Sequence, residues 1–241
     1  MEITSLQNSK IKELAKLKTT KYRKLNKKYL IEGEHLVKEA SKAGQLVELI
    51  LLNNIKLDID VPTIYTTKEI LNYLSDLTTP PNIIGICKIE KTDKIGNKIL
   101  CLDNISDPGN LGTLIRSALA FNFDTVILSE DSVDLYNSKV LRGTQGMHFH
   151  LNIGTKNLDK SLTAIKEQQI PIYSTSVNEG VNLKKLEPTD KVCIILGNEG
   201  LGVKPELLKY CDKNIIIKTN PACESLNVGV AGSIIMYQLN K

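Results

Sequence analysis

The chain has 241 residues, of which 41% are hydrophobic and 24% are charged, a balance typical of a globular protein. No apolar run approaches the roughly eighteen residues that a membrane-spanning helix needs, and the first residues lack the basic and then apolar pattern of a secretory signal. We therefore expect a cytoplasmic protein that does not enter the membrane. Its length allows two domains, and we expect two.

The distribution of charge and the cysteines further limit which partners and bound groups the protein is expected to have. Residues 1–44 hold 11 Lys and Arg against 5 Asp and Glu, a net charge of +6, whereas the whole chain carries +4. A basic end of this kind predicts contact with a polyanion such as nucleic acid, and a solvated lysine-rich helix is the alternative. The five cysteines form no Cys-x-x-Cys pair, so we expect neither a disulfide framework nor a bound metal.

The first part of the chain predicts a small α/β domain over residues 1–92. Its segment 21–29 interleaves basic residues with Tyr22 and Tyr29, which suits phosphates and unpaired bases, or else a charged helix whose tyrosines pack inward. The expected helices cover 5–18, 34–43 and 67–74. The expected strands cover 30–33, 46–52, 63–65 and 83–89. The polar segment 91–97 is interpreted as a linker.

Beyond the linker, a second domain is expected over residues 98–241. Apolar runs typical of strands alternate with helical patterns, which predicts a mostly parallel sheet covered by helices on both faces. The strands are expected at 98–102, 124–128, 170–174, 191–196 and 214–217, with a further strand near 148–153. The helices are expected at 110–121, 158–168, 204–210 and 226–239.

Three polar loops of the second domain each follow a predicted strand. They are the stretch from Asp103 into the next helix, the glycine-rich loop Gly197 to Gly202, and the loop 218–227. In a parallel sheet ligands bind at the carboxyl ends of strands, so we expect these loops to line one crevice. Neither a dinucleotide-binding nor a P-loop motif is present, and the loops contain no histidine. Chemistry there would fall to Arg, Asn, Ser and Glu.

Together the three loops resemble, in order and spacing, the three motifs of the SpoU-type (TrmH-like) ribose 2′-O-methyltransferases. The segments that carry the resemblance are Asp107-Pro108-Gly109-Asn110-Leu111-Gly112 through Arg116 and Ala118, Leu196-Gly197-Asn198-Glu199-Gly200 with Gly202, and Glu224-Ser225-Leu226-Asn227-Val228. Near the start of the chain, Lys21-Tyr22-Arg23 and Ile31-Glu32-Gly33-Glu34 look like the substrate-binding domain of rRNA-modifying members. The resemblance thus spans nearly the whole chain.

The resemblance implies a SPOUT-like fold, an α/β architecture with a mostly parallel sheet, and a homodimer. It places a deep trefoil knot roughly within residues 170–241, whereas the residue pattern alone favours an open, doubly wound sheet because knots are essentially absent from proteins. It also implies S-adenosylmethionine as cofactor, held by backbone groups at Leu196, Gly197, Ile217 and Leu226. Tight packing of strand ends is the structural alternative for these four.

The same resemblance implies a catalytic constellation of Asn110, Arg116, Glu199, Ser225 and Asn227. Arg116 would be its central member. Because a guanidinium rarely gives up its proton, we expect Arg116 to bind phosphate and orient the ribose 2′-hydroxyl rather than to act as a base. Asn110 would orient the ribose or Arg116. The structural alternatives are a helix N-cap for Asn110 and capping of the last helix for Ser225.

We therefore expect methyl transfer from S-adenosylmethionine to a ribose 2′-hydroxyl of RNA, most simply large-subunit ribosomal RNA. The first domain would bind the RNA through Lys21, Tyr22, Arg23, Lys24, Lys27 and Lys28. Two alternatives stay open. One is a tRNA ribose methyltransferase, and the other is a non-catalytic RNA-binding factor in ribosome assembly.

Overall fold

The computed structural model describes residues 1–90, 92–177 and 179–241, which form two compact units. One unit comprises Met1–Lys91 and Tyr136–Phe149, and the other comprises Thr92–Leu135 and His150–Lys241. A short segment that the sequence places in the second domain therefore belongs to the first unit. Of the predicted linker, Lys91 lies outside the described residues, and 92–97 form neither helix nor strand.

Strands and α-helices are interspersed along the described ranges. The strands are β1 (Glu2–Ile3), β2 (Lys28–Glu32), β3 (Leu46–Leu52), β4 (Thr63–Thr66), β5 (Ile83–Lys88), β6 (Lys98–Leu102), β7 (Thr125–Leu128), β8 (Asn152–Thr155), β9 (Ile172–Thr175), β10 (Val181–Asn182), β11 (Val192–Leu196) and β12 (Lys213–Ile216). The α-helices are α1 (Ser9–Lys16), α2 (Thr20–Asn26), α3 (Glu34–Lys42), α4 (Lys68–Leu74), α5 (Pro108–Ala120), α6 (Ser138–Thr144), α7 (Leu158–Glu167), α8 (Pro205–Leu208) and α9 (Val228–Gln238).

The first unit is built on a five-stranded mixed sheet with the order β1-β4-β3-β5-β2. Strand β4 runs parallel to β1 and β3, whereas β5 pairs antiparallel with β3 and β2. Successive side chains of a strand point to opposite faces, so Ile50 packs with residues of α1 and α4 while Leu49 and Leu51 pack with residues of α3. Both faces of this sheet are therefore covered.

The segment Tyr136–Phe149 completes the core of the first unit. Leu141 of α6 and Phe149 are buried in the same cluster as Tyr29 of β2. The Tyr29 ring lies 4.4 Å from that of Tyr136, and its hydroxyl lies 3.4 Å from Nε2 of the buried His148. The sequence instead predicts a strand near 148–153; that strand begins later, at β8, and Met147–His150 form a turn of 3₁₀-helix.

The second unit contains a seven-stranded sheet in which all recorded pairings are parallel, with the order β10-β12-β9-β11-β6-β7-β8. This confirms the predicted mostly parallel sheet. Strand β11 lies between β9 and β6, and β12 lies on the far side of β9, so the last part of the chain crosses the sheet instead of adding strands in sequence order. The trefoil knot that the resemblance implies stays a prediction.

Helices α5 and α9 pack closely against each other in the second unit. A Cβ atom on Gly232 of α9 would lie 2.4 Å from the Leu114 side chain and 2.6 Å from that of Leu196, so a larger residue there would have to displace these two leucine side chains. The hydroxyls of Ser117 and Ser233 meet at 2.8 Å between the same two helices. The beginnings of α5 and α9, where predicted site residues lie, are thus held on a fixed support.

Every helix of the described ranges is too short or too polar to cross a lipid bilayer. In the same residues, no group of three His, Cys, Asp or Glu side chains is arranged to hold a metal ion.

Candidate active site

The first site loop leads from β6 into α5. Asp107 is the N-cap of α5, and its carboxylate accepts a hydrogen bond of 2.8 Å from the backbone N–H of Asn110. Pro108 occupies the first helical position, where its missing N–H costs nothing. The alternative that Asn110 is the N-cap is therefore wrong. Since Asp107 caps the helix, the Asn110 side chain is available for other contacts.

A chain of hydrogen bonds joins the three predicted loops. Asn110 donates through Nδ2 to Oε1 of Glu199 over 2.9 Å, and Asn227 donates through Nδ2 to Oδ1 of Asn110 over 2.8 Å. Asn227 is also the N-cap of α9, because its Oδ1 accepts from the backbone N–H of Gly229 at 2.9 Å. Three of the five predicted catalytic residues therefore touch, and each amide is oriented at both its oxygen and its nitrogen.

The Glu199 carboxylate has further donors that the sequence did not indicate. Ser106 donates through its hydroxyl at 3.1 Å, and the backbone N–H of Asp107 donates at 3.4 Å. Burial tends to raise the pKa of Glu199, but the hydrogen bonds from Asn110, Ser106 and the backbone outweigh it and lower the pKa below its usual value. Glu199 is therefore ionised at neutral pH and poorly suited to take a proton from a hydroxyl.

We expect Glu199→Gln to destabilise the protein at neutral pH but not in acid. A carboxyl whose pKa is lowered by folding contributes stability above its unfolded pKa of about 4.3, and that contribution is lost as the pH falls through the lowered folded value. The Tm difference between wild type and Glu199→Gln should thus shrink as the pH falls below about 4. Thermal denaturation across pH measures it. Glu130→Gln is the control, because Glu130 is exposed and has no partner in the described ranges. A Tm difference between wild type and Glu199→Gln that persists unchanged into acid would contradict this explanation.

The second site loop, between β11 and α8, closes on itself. Asn198 and Gly202 exchange two backbone hydrogen bonds of 3.0 and 2.9 Å. A Cβ atom on Gly197 would lie 2.1 Å from the backbone of Gly202, so this position accepts only glycine. The Asn198 side chain donates to the carbonyl of Asn104 over 2.9 Å and ties the second loop to the first. The sequence did not predict that Asn198 ties the two loops together, although Asn198 lies within the Gly-Asn-Glu-Gly motif.

Arg116 and Ser225 stand apart from the hydrogen-bonded group. Both are exposed, and neither the Arg116 guanidinium nor the Ser225 hydroxyl has a partner within the described part of the chain. Capping of the last helix by Ser225 is wrong, because Asn227 is the N-cap of α9. The structure therefore leaves two of the five predicted catalytic side chains free to contact a ligand.

Backbone groups next to β11, β12 and α9 can also bind a ligand. Gly197 is buried and Ile217 and Leu226 are half-buried, yet the backbone N–H and C=O groups of all three lack hydrogen bonds among the described residues. Buried backbone groups are nearly always paired, so the unpaired groups of Gly197 in particular fit a polar ligand, and Ile217 and Leu226 add further unpaired groups. Leu196 differs, because it is 1% exposed and its carbonyl accepts from the backbone N–H of Asp103 at 2.9 Å. Tight packing explains Leu196 without a ligand.

The predicted RNA-binding residues of the first unit separate into two groups. Lys21, Lys24, Lys27 and Lys28 are exposed, and Tyr22 is half-buried. Arg23 is only 6% exposed, and its guanidinium donates to the carbonyls of Leu17 and Lys18 at 2.9 and 2.8 Å. We therefore remove Arg23 from the candidate RNA contacts, since it holds the end of α1. Tyr29 is also buried, as the inward-packing alternative predicts.

We expect Arg23→Ala to lower the free energy of unfolding by about 1–3 kcal/mol, because it leaves two carbonyls at the end of α1 without their charged donor. Lys24→Ala removes the neighbouring basic side chain, which is exposed and has no recorded partner in the described residues, and should leave stability unchanged. Chemical denaturation of both variants makes the comparison. Equal stability of Arg23→Ala and wild type would show that the buried hydrogen bonds do not matter.

Known proteins are similar to this chain in both sequence and fold. Residues 97–237 match the SpoU rRNA Methylase family, and residues 8–85 match the MRM3-like substrate binding domain. The 23S rRNA (guanosine(2553)-2'-O)-methyltransferase RlmP of Bacillus subtilis is 34% identical, over 99% of this chain and 98% of that protein. A human relative, rRNA methyltransferase 3, mitochondrial, is 32% identical over 57% of this chain and 37% of its own length.

Solved structures agree with the sequence comparison. A crystal structure of an RNA 2'-O ribose methyltransferase superimposes with a TM-score of 0.82 at 26% identity, covering 99% of this chain and 98% of the other. The AdoMet-bound rRNA methyltransferase from Sinorhizobium meliloti shares the fold, with a TM-score of 0.87 at 23% identity over 99% of this chain and 97% of that chain. The chain therefore belongs to the SpoU rRNA methylase family, and it carries an N-terminal substrate-binding domain.

Proposed function

We propose that this protein transfers the methyl group of S-adenosylmethionine to a ribose 2′-hydroxyl of large-subunit ribosomal RNA in the cytoplasm. The observation that carries the proposal is the hydrogen-bonded chain Glu199–Asn110–Asn227, which joins all three motif loops at the carboxyl edge of a parallel sheet. Family membership supports the reaction class. In this proposal the second unit carries out the transfer, and the first unit binds the RNA.

The cofactor would be held by the unpaired backbone groups of Gly197, Ile217 and Leu226. The closed loop from Asn198 to Gly202 packs against Gly197 and fixes its backbone, so this part of the site is formed before a ligand arrives. S-adenosylmethionine, when bound, supplies an electrophilic methyl group on a sulfonium. The protein's own contribution is to align the ribose hydroxyl with that methyl group.

Orientation is the role that the hydrogen-bond pattern favours for Asn110. Its amide oxygen accepts from Asn227 and its amide nitrogen donates to Glu199, which leaves one N–H and one lone pair for the ribose. Because Glu199 is saturated with donors and has a lowered pKa, we assign it to holding Asn110 and not to proton removal. Glu199 is thus a positioning residue.

Arg116 and Ser225 are the side chains that remain for direct contact with RNA. Arg116 carries a positive charge without a partner in the described residues, so it can bind a phosphate next to the target ribose. The Ser225 hydroxyl can share a hydrogen bond with the 2′-hydroxyl and help to fix its direction. Both side chains are exposed, so RNA can reach them.

We propose that the target is the guanosine of the large-subunit rRNA that corresponds to position 2553 in the relative from Bacillus subtilis. Support comes from the similarity to that enzyme over the full length of both chains. The match to an MRM3-like substrate binding domain at residues 8–85 adds support for binding of the RNA substrate by the first unit. If the substrate is a tRNA instead, ribose methylation of large-subunit rRNA will not depend on the gene.

We further propose a homodimer that uses α9. Val230, Ile234 and Tyr237 recur at spacings of four and three along one face of this helix, and they are 48%, 38% and 69% exposed. An exposed apolar stripe of this kind marks a contact surface. We expect wild type to be dimeric by light scattering and Ile234→Glu to be monomeric. A monomeric wild type at micromolar concentration would contradict this arrangement.

An in vitro assay tests the proposed reaction. Purified protein, S-adenosylmethionine labelled in its methyl group, and ribosomal RNA from a strain that lacks the gene should give label in large-subunit rRNA. RNA from the parent strain, whose site is already methylated, should accept none. If the protein binds S-adenosylmethionine in a calorimetric titration but labels no RNA, the enzymatic proposal fails. If it binds no cofactor, a non-catalytic RNA-binding factor is the better explanation.

A further inference from the structure

A cavity of about 350 Å³ opens in the first unit, among α1, the end of α2, and strands β2 and β3. Leu14 of α1 and Leu17, the C-cap of α1, supply its apolar surface, and they are 7% and 3% exposed. Its polar surface comes from Ser9, Lys10, Glu13, Asn26, Lys28 and Glu48, of which Glu13 is exposed and has no ion-pair partner among the described residues. The cavity thus offers a small apolar surface beside a larger polar one, and its volume falls at the lower end of the range of about 300–1,000 Å³ for small-ligand sites.

The polar groups of the cavity differ in how fully they are paired. Glu48 forms an ion pair with Lys10 of α1. The half-buried Asn26 side chain has no hydrogen bond to any described residue. A free carboxamide presents both a donor and an acceptor, which is the combination that recognises the edge of a nucleobase.

One lysine without an ion-pair partner, Lys28, lines this cavity, and two more, Lys24 and Lys27, lie close to Asn26 along the chain. Lys24, Lys27 and Lys28 are exposed, and the described residues supply no carboxylate to any of them. Lys27 has a φ of 51°, in the left-handed region, at the sharp turn from α2 into β2. Lys28 lies directly opposite Lys88 in the antiparallel pair of β2 and β5. Lys88 is paired with Glu90 at 2.6 Å, so Lys28 is the member of this pair whose charge is left for an anion.

Arg23 stiffens the wall of the cavity. Its guanidinium bonds to the carbonyls of Leu17 and Lys18 and to the hydroxyl of Thr20 at 2.9 Å, so it fixes the junction between α1 and α2. Leu17 is itself part of the apolar surface. A cavity with a fixed wall loses little conformational entropy when a ligand enters.

We propose that this cavity receives one unpaired nucleobase of the RNA substrate, while Lys24, Lys27 and Lys28 contact the neighbouring phosphates. The base would lie against Leu14 and Leu17, and the Asn26 amide would hydrogen-bond its edge. The inference rests on the proposed function, because it takes RNA as the substrate. It uses none of the residues of the methyl-transfer site, so it identifies a second place where the protein recognises RNA.

Fluorescence anisotropy with full-length protein, in the absence of S-adenosylmethionine, tests this inference. The probes are an unstructured, fluorescein-labelled oligoribonucleotide of mixed sequence and a matched oligonucleotide with the same backbone but abasic positions. Asn26→Ala should weaken binding of the intact RNA about tenfold, the loss of roughly one hydrogen bond to a base. It should leave binding of the abasic RNA unchanged. Ser9→Trp, which fills the cavity from its exposed edge, should act in the same way.

Lys28→Ala is the contrasting variant. It should weaken binding of both RNAs and reduce the slope of log K against log salt by about 0.7, the value for one phosphate contact on a single strand. Asn26→Ala should leave that slope unchanged. If Asn26→Ala and Ser9→Trp bind the intact RNA like wild type, or if wild type binds both RNAs equally, the base site does not exist.

Failure of this inference can be told apart from failure of the proposed function. Binding is measured without cofactor, so a protein that distinguishes the two RNAs but transfers no methyl group contradicts the proposed reaction alone. A protein that methylates rRNA but binds intact and abasic RNA equally contradicts the base site alone. Thermal denaturation of Asn26→Ala checks that the fold is intact, and because its side chain has no partner in the described ranges, no loss of stability is expected.

Discussion

Replacing Arg116 by alanine should lower kcat for methyl transfer by about 10²- to 10³-fold, as expected for loss of one oriented charged donor at a reacting group. The Kd for S-adenosylmethionine should change little, because the groups assigned to the cofactor lie in the loops that follow β11 and β12. Arg116 is exposed and has no partner in the described part of the chain, so its loss breaks no recorded contact. Single-turnover kinetics and a calorimetric titration measure the two quantities separately.

Two further variants sharpen this experiment. Arg116→Lys keeps the positive charge but loses the planar fork that binds phosphate at two points, so it should restore only part of the rate. Thr113→Ala alters a neighbouring exposed residue of α5 and should leave the rate near that of wild type. Parallel losses of cofactor affinity and of rate in Arg116→Ala would remove the role assigned to this residue.

Gly197→Ala should abolish measurable cofactor binding and lower the Tm of the protein. The new Cβ atom would lie 2.1 Å from the backbone of Gly202 and Val203, a distance that no side-chain movement can relieve. The closed loop would have to open or shift, and the hydrogen bonds between Asn198 and Gly202 would be lost with it. Calorimetric titration with S-adenosylmethionine and thermal denaturation measure these two effects.

Gly200→Ala is the matched control in the same loop. A Cβ atom on Gly200 would come no closer than 3.7 Å to the Asn198 side chain, which is an ordinary contact distance. We therefore expect a cofactor affinity and a Tm close to those of wild type. Wild-type affinity in Gly197→Ala, or equal damage in both variants, would show that the closed loop does not shape the cofactor site.

Strands with continuous apolar runs were predictable from the sequence. Leu46–Leu52 and Lys98–Leu102 have the predicted bounds, and Val192–Leu196 begins one residue after its predicted start. Every residue of Lys98–Leu102 and Val192–Leu196 is buried, and Leu46–Leu52 is buried at four of its seven positions and half-buried at the rest, so nearly every residue contributes to the apolar signal. The strand Glu2–Ile3 was missed, because two residues paired at an edge carry no periodicity.

The membership of Tyr136–Phe149 in the first unit could not be predicted. Leu141 and Phe149 join a cluster whose other members lie within residues 29–87, more than fifty residues earlier in the chain. Local periodicity reports which face of an element is apolar but not which distant element covers it. Only the folded structure shows that the chain returns to complete this core.

The sequence predicted which residues form the candidate site but not which hydrogen bonds join them. Spacing brought Asn110, Glu199 and Asn227 to one sheet edge, and the structure adds that their side chains bond to one another. The donor role of Ser106 toward Glu199 was missed, since a serine before a helix cap is common. Arg23 was assigned wrongly because a basic run does not show which guanidinium turns inward to bond carbonyls.

Mapping ribose methylation in large-subunit rRNA tests the central claim most directly. A 2′-O-methyl group protects the adjacent phosphodiester from alkaline hydrolysis, so each methylated position can be located by a missing cleavage. Ribosomal RNA from a strain without the gene should lack one of these methylated positions. Wild-type protein should restore the methylation, and Arg116→Ala should not. An identical methylation pattern of ribosomal RNA with and without the gene would contradict the account.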